Sequence, residues 1–106
     1  METACYLVLT TFDNVDAAQR FAQQLVEKKL AACVNILPEI TSIYRWQDKV
    51  EQTSEVLLHI KTSRHCLTEL CQMLKQQHPY DVPEIIALDI TSGDNDYLNW
   101  INEMVK

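Results

Sequence analysis

The sequence predicts an α+β domain, an antiparallel sheet backed by helices, and three observations predict it. Strand-like and helix-like stretches follow one another as strand, helix, strand, strand, helix, strand, with one more helical stretch at the end. The two middle strands are long, so that Leu30 to Thr62 reads as a single hairpin with a short polar turn. A chain of 106 residues can build one core but not two, which places all these elements in one domain over residues 1–106.

The first strand is Cys5 to Phe12, CYLVLTTF, rich in β-formers and apolar at consecutive positions. That pattern suits a central strand covered by helices on one side and by something else on the other. Asp13 then offers a side-chain cap, and Val15, Ala18, Ala22, Leu25 and Val26 recur at helical spacing opposite Gln19, Arg20, Gln23, Gln24 and Glu27. The helix is expected to end near Lys28 and Lys29, where positive charge suits the negative end of the helix dipole.

The second strand, Ala31 to Gln47, contains Pro38, which has no N–H for the ladder and therefore marks a bulge, a bend or an edge. It divides the strand into a domain half, Ala31 to Leu37, and a projecting half, Ile40 to Gln47. Its 17 residues would reach about 55 Å when extended, whereas a compact chain of this size has a radius of gyration of only ~13 Å. The ribbon must overshoot its own domain. Within the projecting half, Ile40, Ser42, Tyr44 and Trp46 share one face, and Thr41, Ile43, Arg45 and Gln47 share the other. A turn at Asp48 and Lys49 returns the chain, polar from Glu51 to Glu55 and then apolar through Val56, Leu57, Leu58 and Ile60. An isolated two-stranded ribbon is marginal in water. The arm, with Ile40, Ile43, Tyr44 and Trp46, is therefore expected to pack on another copy of the same chain.

Ser63 is placed to cap a second helix carrying Leu67, Leu70, Cys71 and Leu74, which must stop before His78-Pro79 because the residue preceding proline leaves the α region. The loop HPYDVPE, His78 to Glu84, holds two of the three prolines and is stiff. Ile85 to Ile90 form the fourth strand. After Gly93 and Asp94 a last helix presents Tyr97, Leu98, Ile101, Met104 and Val105 on one stripe. The order is β-α-β-β-α-β, a ferredoxin-like split arrangement, with an additional C-terminal helix and a long projecting hairpin between the second and third strands.

Composition excludes several functions. The formal charge is −6, with 15 acidic against 9 basic residues, and this opposes the phosphate attraction on which nucleic-acid and anionic-membrane binding depend. A single glycine, Gly93, cannot write either glycine-rich phosphate loop. Cys5, Cys33, Cys66 and Cys71 include no C-x-x-C pair and read as small hydrophobes. No export signal and no apolar run of ~20 residues are visible, so the expected address is cytoplasmic.

Five separated motifs, KKLAACVNILP, SIYRWQDKVE, LLHIKT, HPYDVPEII and DYLNWI, in this order and spacing closely resemble the CutA family of divalent-cation tolerance proteins, from about Tyr6 to Ile101. The resemblance implies a tight homotrimer whose hairpin reaches onto neighbouring subunits, a role in copper and other divalent-cation tolerance, and no obligatory cofactor beyond a possible Cu or other divalent cation. It also implies a copper site made of a thiol on the first strand and adjacent histidines at the end of the second helix. The matching positions here are Thr10 and Gln77-His78, so His78 is the one ligand that carries over. One imidazole is a weak ligand alone; a neighbour would have to add donors such as Glu84, Asp81, His59 or Glu51. The alternative is that the His78 ring bonds a backbone group and holds the proline loop.

The same motifs place an inter-subunit pocket at Tyr44, Trp46, Lys61, Tyr80 and Glu84, beside His78. Tyr44 and Trp46 read more readily as interface anchors than as ligand stackers, since large aromatics dominate interface cores. Three functions follow: a metal-linked homotrimer, a small-molecule effector trimer resembling PII signalling proteins, and an acylphosphatase-like enzyme. The last is disfavoured, because Asp13 and Asp16 would repel an anion at the first turn and no nucleophile-base pairing is evident. The expected partners are self and divalent metal ions.

Overall fold

A computed structural model describes residues 4–106. Its elements are β1 (Cys5–Phe12), α1 (Val15–Glu27), β2 (Cys33–Trp46), β3 (Lys49–Ser63), α2 (Arg64–Gln77), β4 (Ile86–Ile90) and α3 (Asn95–Met104). Every neighbouring pair in the sheet is antiparallel, in the order β2-β3-β1-β4. This is the ferredoxin-like order expected from the sequence, with α3 added. Among the described residues no helix is long and apolar enough to cross a membrane.

Several local details differ from expectation. Asn14, not Asp13, caps α1: its backbone is extended and its Oδ1 accepts from the Ala17 N–H at 2.7 Å. The hairpin turn is Gln47-Asp48, one residue earlier than expected. Both residues have positive φ, 49° and 66°, which a two-residue type I′ turn requires, and Trp46 already pairs with Lys49. Ser63 occupies the cap position of α2, but its hydroxyl is given to His65 Nδ1 rather than to a helix N–H. On α3 the buried stripe is Leu98, Ile101 and Val105, while Tyr97 and Met104 stand outside it.

The end of α1 shows why a lysine sits where glycine is usual. Leu30 N–H donates to Leu25 O and Lys29 N–H to Val26 O, the paired bonds of a Schellman motif, with Lys29 at φ 59°. Leu25 and Leu30 are both buried, and their contact fixes the exit angle of the chain.

Directly paired residues of an antiparallel sheet share a face, so the register divides the sheet into two sides. On one, Val8 and Phe12 of β1 and Val56, Leu58 and Ile60 of β3 pack with Ala18, Phe21 and Leu25 of α1 and Leu70 and Leu74 of α2 in one core. On the other, Leu7 and Leu9 of β1, Leu57, His59 and Lys61 of β3, and Ile86 and Leu88 of β4 remain half-buried or exposed. At one end of this open side α3 is anchored through Cys5, whose Sγ lies 3.6 Å from Leu98 O and accepts from Asn102 Nδ2 at 3.4 Å.

The bulge at Pro38 decides what the arm presents. Leu37 pairs with Leu57 and Ile40 with Glu55, three steps on β2 against two on β3, with Glu39 in the left-handed region at φ 59°. The additional residue reverses the alternation of β2. Cys33, Asn35 and Leu37 face the open side before it, and Ile40, Ser42, Tyr44 and Trp46 face the same side after it. The molecule measures 48 × 25 × 22 Å with a radius of gyration of 14.5 Å, elongated by the arm.

Candidate functional site

The expected site residues fall into three places, the proline loop, the tip of the hairpin and its base, with Glu84 exposed outside them. The first is the proline loop. The His78 ring is buried against Phe12, at 4.6 Å between centroids, and against Tyr80, at 4.8 Å. Its Nε2–H donates to Thr11 O at 2.8 Å, and its Nδ1 accepts from the Tyr80 N–H at 3.1 Å. The two bonds are consistent only with the neutral Nε2–H tautomer. Burial pushes the imidazole below its ordinary value, against the Thr11 carbonyl and the nearby Asp13 and Glu55 carboxylates, which favour the cation.

Tyr80 continues the chain of contacts. Its hydroxyl donates to Glu55 Oε2 at 2.7 Å, at the point where β3 turns from polar to apolar. Burial first, then the bond to Glu55, pushes the phenol well above its ordinary value, with smaller contributions from the charges of Glu55 and Asp13 and from Tyr44. Tyr80 therefore stays a donor throughout the physiological range. Glu55, Thr11 and Phe12 are the residues that sequence reasoning passed over here. The only signal for Glu55 was its place at the polar-to-apolar change in β3.

Thr10 and Gln77, at the positions implied for a thiol and a first histidine, do not join His78 in a donor set. Thr10 is fully buried and its hydroxyl has no hydrogen-bond partner among the described residues, while Gln77 is exposed. With both nitrogens of His78 already used, these three positions do not fit a copper ion within one chain. No group of three or more His, Cys, Asp or Glu side chains suited to a metal ion occurs among the described residues.

The other two places are the ends of the hairpin, Trp46 at the tip and Lys61 at the base. Lys61 pairs across the ladder with Cys33, and Trp46 lies 13 positions further along β2, a separation of about 43 Å. One chain therefore brings Tyr44 near Tyr80 but keeps Trp46 and Lys61 apart. Lys61 instead meets α3: its Nζ is 3.1 Å from Tyr97 Oη and 5.4 Å from that ring's centroid. Tyr97 in turn stacks on Trp100 at 5.6 Å. Glu84 is exposed in the loop before β4. A depression of about 560 Å³ along α2, at Leu67, Cys71 and Lys75, includes none of these residues.

The family described as CutA1 divalent ion tolerance protein matches residues 6–104, which include the His78 loop, the arm and Lys61. The chain belongs to this CutA1 family. It is 48% identical over 97 residues to the divalent-cation tolerance protein CutA of Thermus thermophilus, covering 92% of this chain and 94% of that one. It is 44% identical over 96 residues to protein CutA of Mus musculus, covering 91% of this chain but 54% of the mouse protein. Among solved structures, CutA1 from Oryza sativa superposes with a TM-score of 0.93 at 42% identity, covering 98% of this chain and 95% of that one. The Thermus thermophilus Cut A1 structure gives 0.91 at 46% identity, covering 96% and 99%.

Proposed function

We propose that this CutA1 chain serves divalent-cation tolerance as a self-assembling homotrimer that binds cations weakly, and not as an enzyme. The observation that carries the assembly is the uncovered, largely apolar open sheet face and its extension along the arm. Leu7, Leu9, Ile86 and Leu88 lie on one half of it, and Ile40, Tyr44 and Trp46 extend it beyond the domain. Covering the exposed half of each such side chain is worth about 1 kcal/mol. A contiguous uncovered patch of this extent marks an interface.

The relatives' printed names, divalent-cation tolerance protein, support the cation role. What speaks against tight binding within one chain is the state of the three positions: among the described residues the Thr10 hydroxyl is buried without a partner, Gln77 is exposed and the His78 imidazole is bonded on both sides. Cytoplasmic action belongs to the same proposal, and cell fractionation tests it. Light scattering is expected to return three chain masses; a folded monomer would end the assembly reading. Calorimetry with Cu²⁺ and Zn²⁺ is expected to show weak binding. Tight binding of a nucleotide in the same cell, without cation binding, would favour the effector trimer instead.

A further inference from the structure

The end of α1, the start of α2 and the segment after α3 meet at Lys106. Its N–H donates to Lys29 O at 3.0 Å, and its Nζ pairs with Glu69 Oε2 at 3.1 Å. Two successive residues of α2 reach its backbone oxygen, His65 through Nε2 and Cys66 through Sγ, the latter at 3.4 Å. Cys66 Sγ also lies 3.9 Å from Lys29 O. On the other side of the imidazole, Nδ1 is 3.1 Å from the hydroxyl of Ser63, which is 1% exposed. A ring nitrogen, a sulfur and a backbone oxygen thus converge on one point, and a buried hydroxyl holds the ring from behind. These residues belong neither to the His78 loop nor to the open sheet face.

We propose, resting on the cation reading above, that His65 Nε2, Cys66 Sγ and the Lys106 backbone oxygen hold one divalent cation of the Zn²⁺ class, with water completing its coordination. In the protein without metal a proton on Nε2 makes the bond to Lys106 O. The cation takes the place of that proton and of the thiol proton, which leaves to solvent. The ring then carries its proton on Nδ1 and donates it to Ser63 Oγ, the outer-shell bond that a metal-bound histidine usually makes. Cys66 is the third residue of α2, where unsatisfied helix N–H groups favour a thiolate. The Lys106 ammonium is compensated by Glu69. His65 is exposed and gives the cation an approach, while Cys66 is 2% exposed and keeps the sulfur from bulk water. A mixed nitrogen, sulfur and oxygen set selects a borderline cation over Mg²⁺ or Ca²⁺, which take oxygen alone. Two side chains and one backbone oxygen are fewer donors than a closed structural zinc site has, in keeping with weak binding.

Co²⁺ is the probe, because it takes the place of Zn²⁺ and its bond to a thiolate gives a near-ultraviolet charge-transfer band. Titration of the reduced wild-type protein is expected to show this band, and added Zn²⁺ to bleach it. Cys66→Ser is expected to abolish the band, and Cys33→Ser to leave it unchanged. His65→Gln removes a ligand and is expected to weaken Co²⁺ binding at least as much as loss of an outer-shell partner does, about tenfold. Far-ultraviolet circular dichroism checks each fold, and His65→Gln, at an exposed position, keeps the test decisive where Cys66→Ser does not fold. Cation binding without a thiolate band, a band that survives Cys66→Ser, or an affinity unmoved by His65→Gln overturns this site and leaves the cation reading standing. A wild type that binds neither Co²⁺ nor Zn²⁺ removes both.

Discussion

His78 at the end of α2 and Thr11 in β1, 67 residues earlier, are joined by a 2.8 Å bond from Nε2–H to the carbonyl oxygen. This bond, with the acceptance from the Tyr80 N–H at 3.1 Å, ties the proline loop to the central strand. Removing the ring would leave a buried carbonyl and a loop N–H without partners, and it would open a void beside Phe12. The expected cost of His78→Ala is about 2 kcal/mol, read from the denaturant midpoint. Copper binding measured by calorimetry is expected to be unchanged; a lost copper signal in a folded His78→Ala protein would return the ring to the list of ligands.

Acid should loosen the same loop. Burial keeps the folded imidazole below its ordinary value of 6.5. Between the folded and unfolded values the unfolded chain therefore binds the proton more readily. The stabilisation linked to His78 is complete above pH 6.5 and is lost as the pH falls through 6.5 towards the folded value. Denaturation series from pH 8 to pH 5 are expected to show this slope in the wild type and a shallower one in His78→Gln. Equal slopes would show that other groups set the acid response.

Thr10 makes the opposite prediction. Its buried hydroxyl has no partner among the described residues, a burden of ~1–3 kcal/mol by mutational standards. Thr10→Val keeps the shape and removes the hydroxyl. The variant is expected to be as stable as the wild type or up to about 1 kcal/mol more stable, measured by the same midpoint. A clear loss would mean that the hydroxyl has a partner in solution.

Glu39 is the additional residue of the bulge. Deleting it leaves Pro38 alone between Leu37 and Ile40, two steps on each strand, so Ile40, Tyr44 and Trp46 keep the side that Leu37 faces. The expected outcome is a folded subunit, by circular dichroism, that assembles like the wild type in sedimentation. Lost assembly in a folded deletion variant would show that the bend and twist of the bulge, and not the face alone, aim the arm.

Much of the architecture was legible because it depends on neighbours in sequence. Alternation and helical spacing located all seven elements, Pro38 announced the bulge, and consecutive β-formers marked Cys5–Phe12 to the residue. Local chemistry that turns on one atom was less legible. Asp13 and Asn14 are both good caps, and only the actual start of α1 at Val15 chooses between them. Gln47 is not a residue that advertises a positive φ, so the sequence points to a turn one residue later than Gln47-Asp48.

The sequence by itself determined the order of the elements, the over-long hairpin, the arm's exposed aromatics and the family motifs, since each rests on spacing along the chain. Only the tertiary structure decided what the candidate residues touch. It gave the His78 ring to Thr11 and Tyr80, Tyr80's hydroxyl to Glu55 and Lys61's ammonium to Tyr97. Those partners lie 67, 2, 25 and 36 positions away. Most are set by how the sheet and helices bring distant groups within hydrogen-bond reach, which no local pattern encodes.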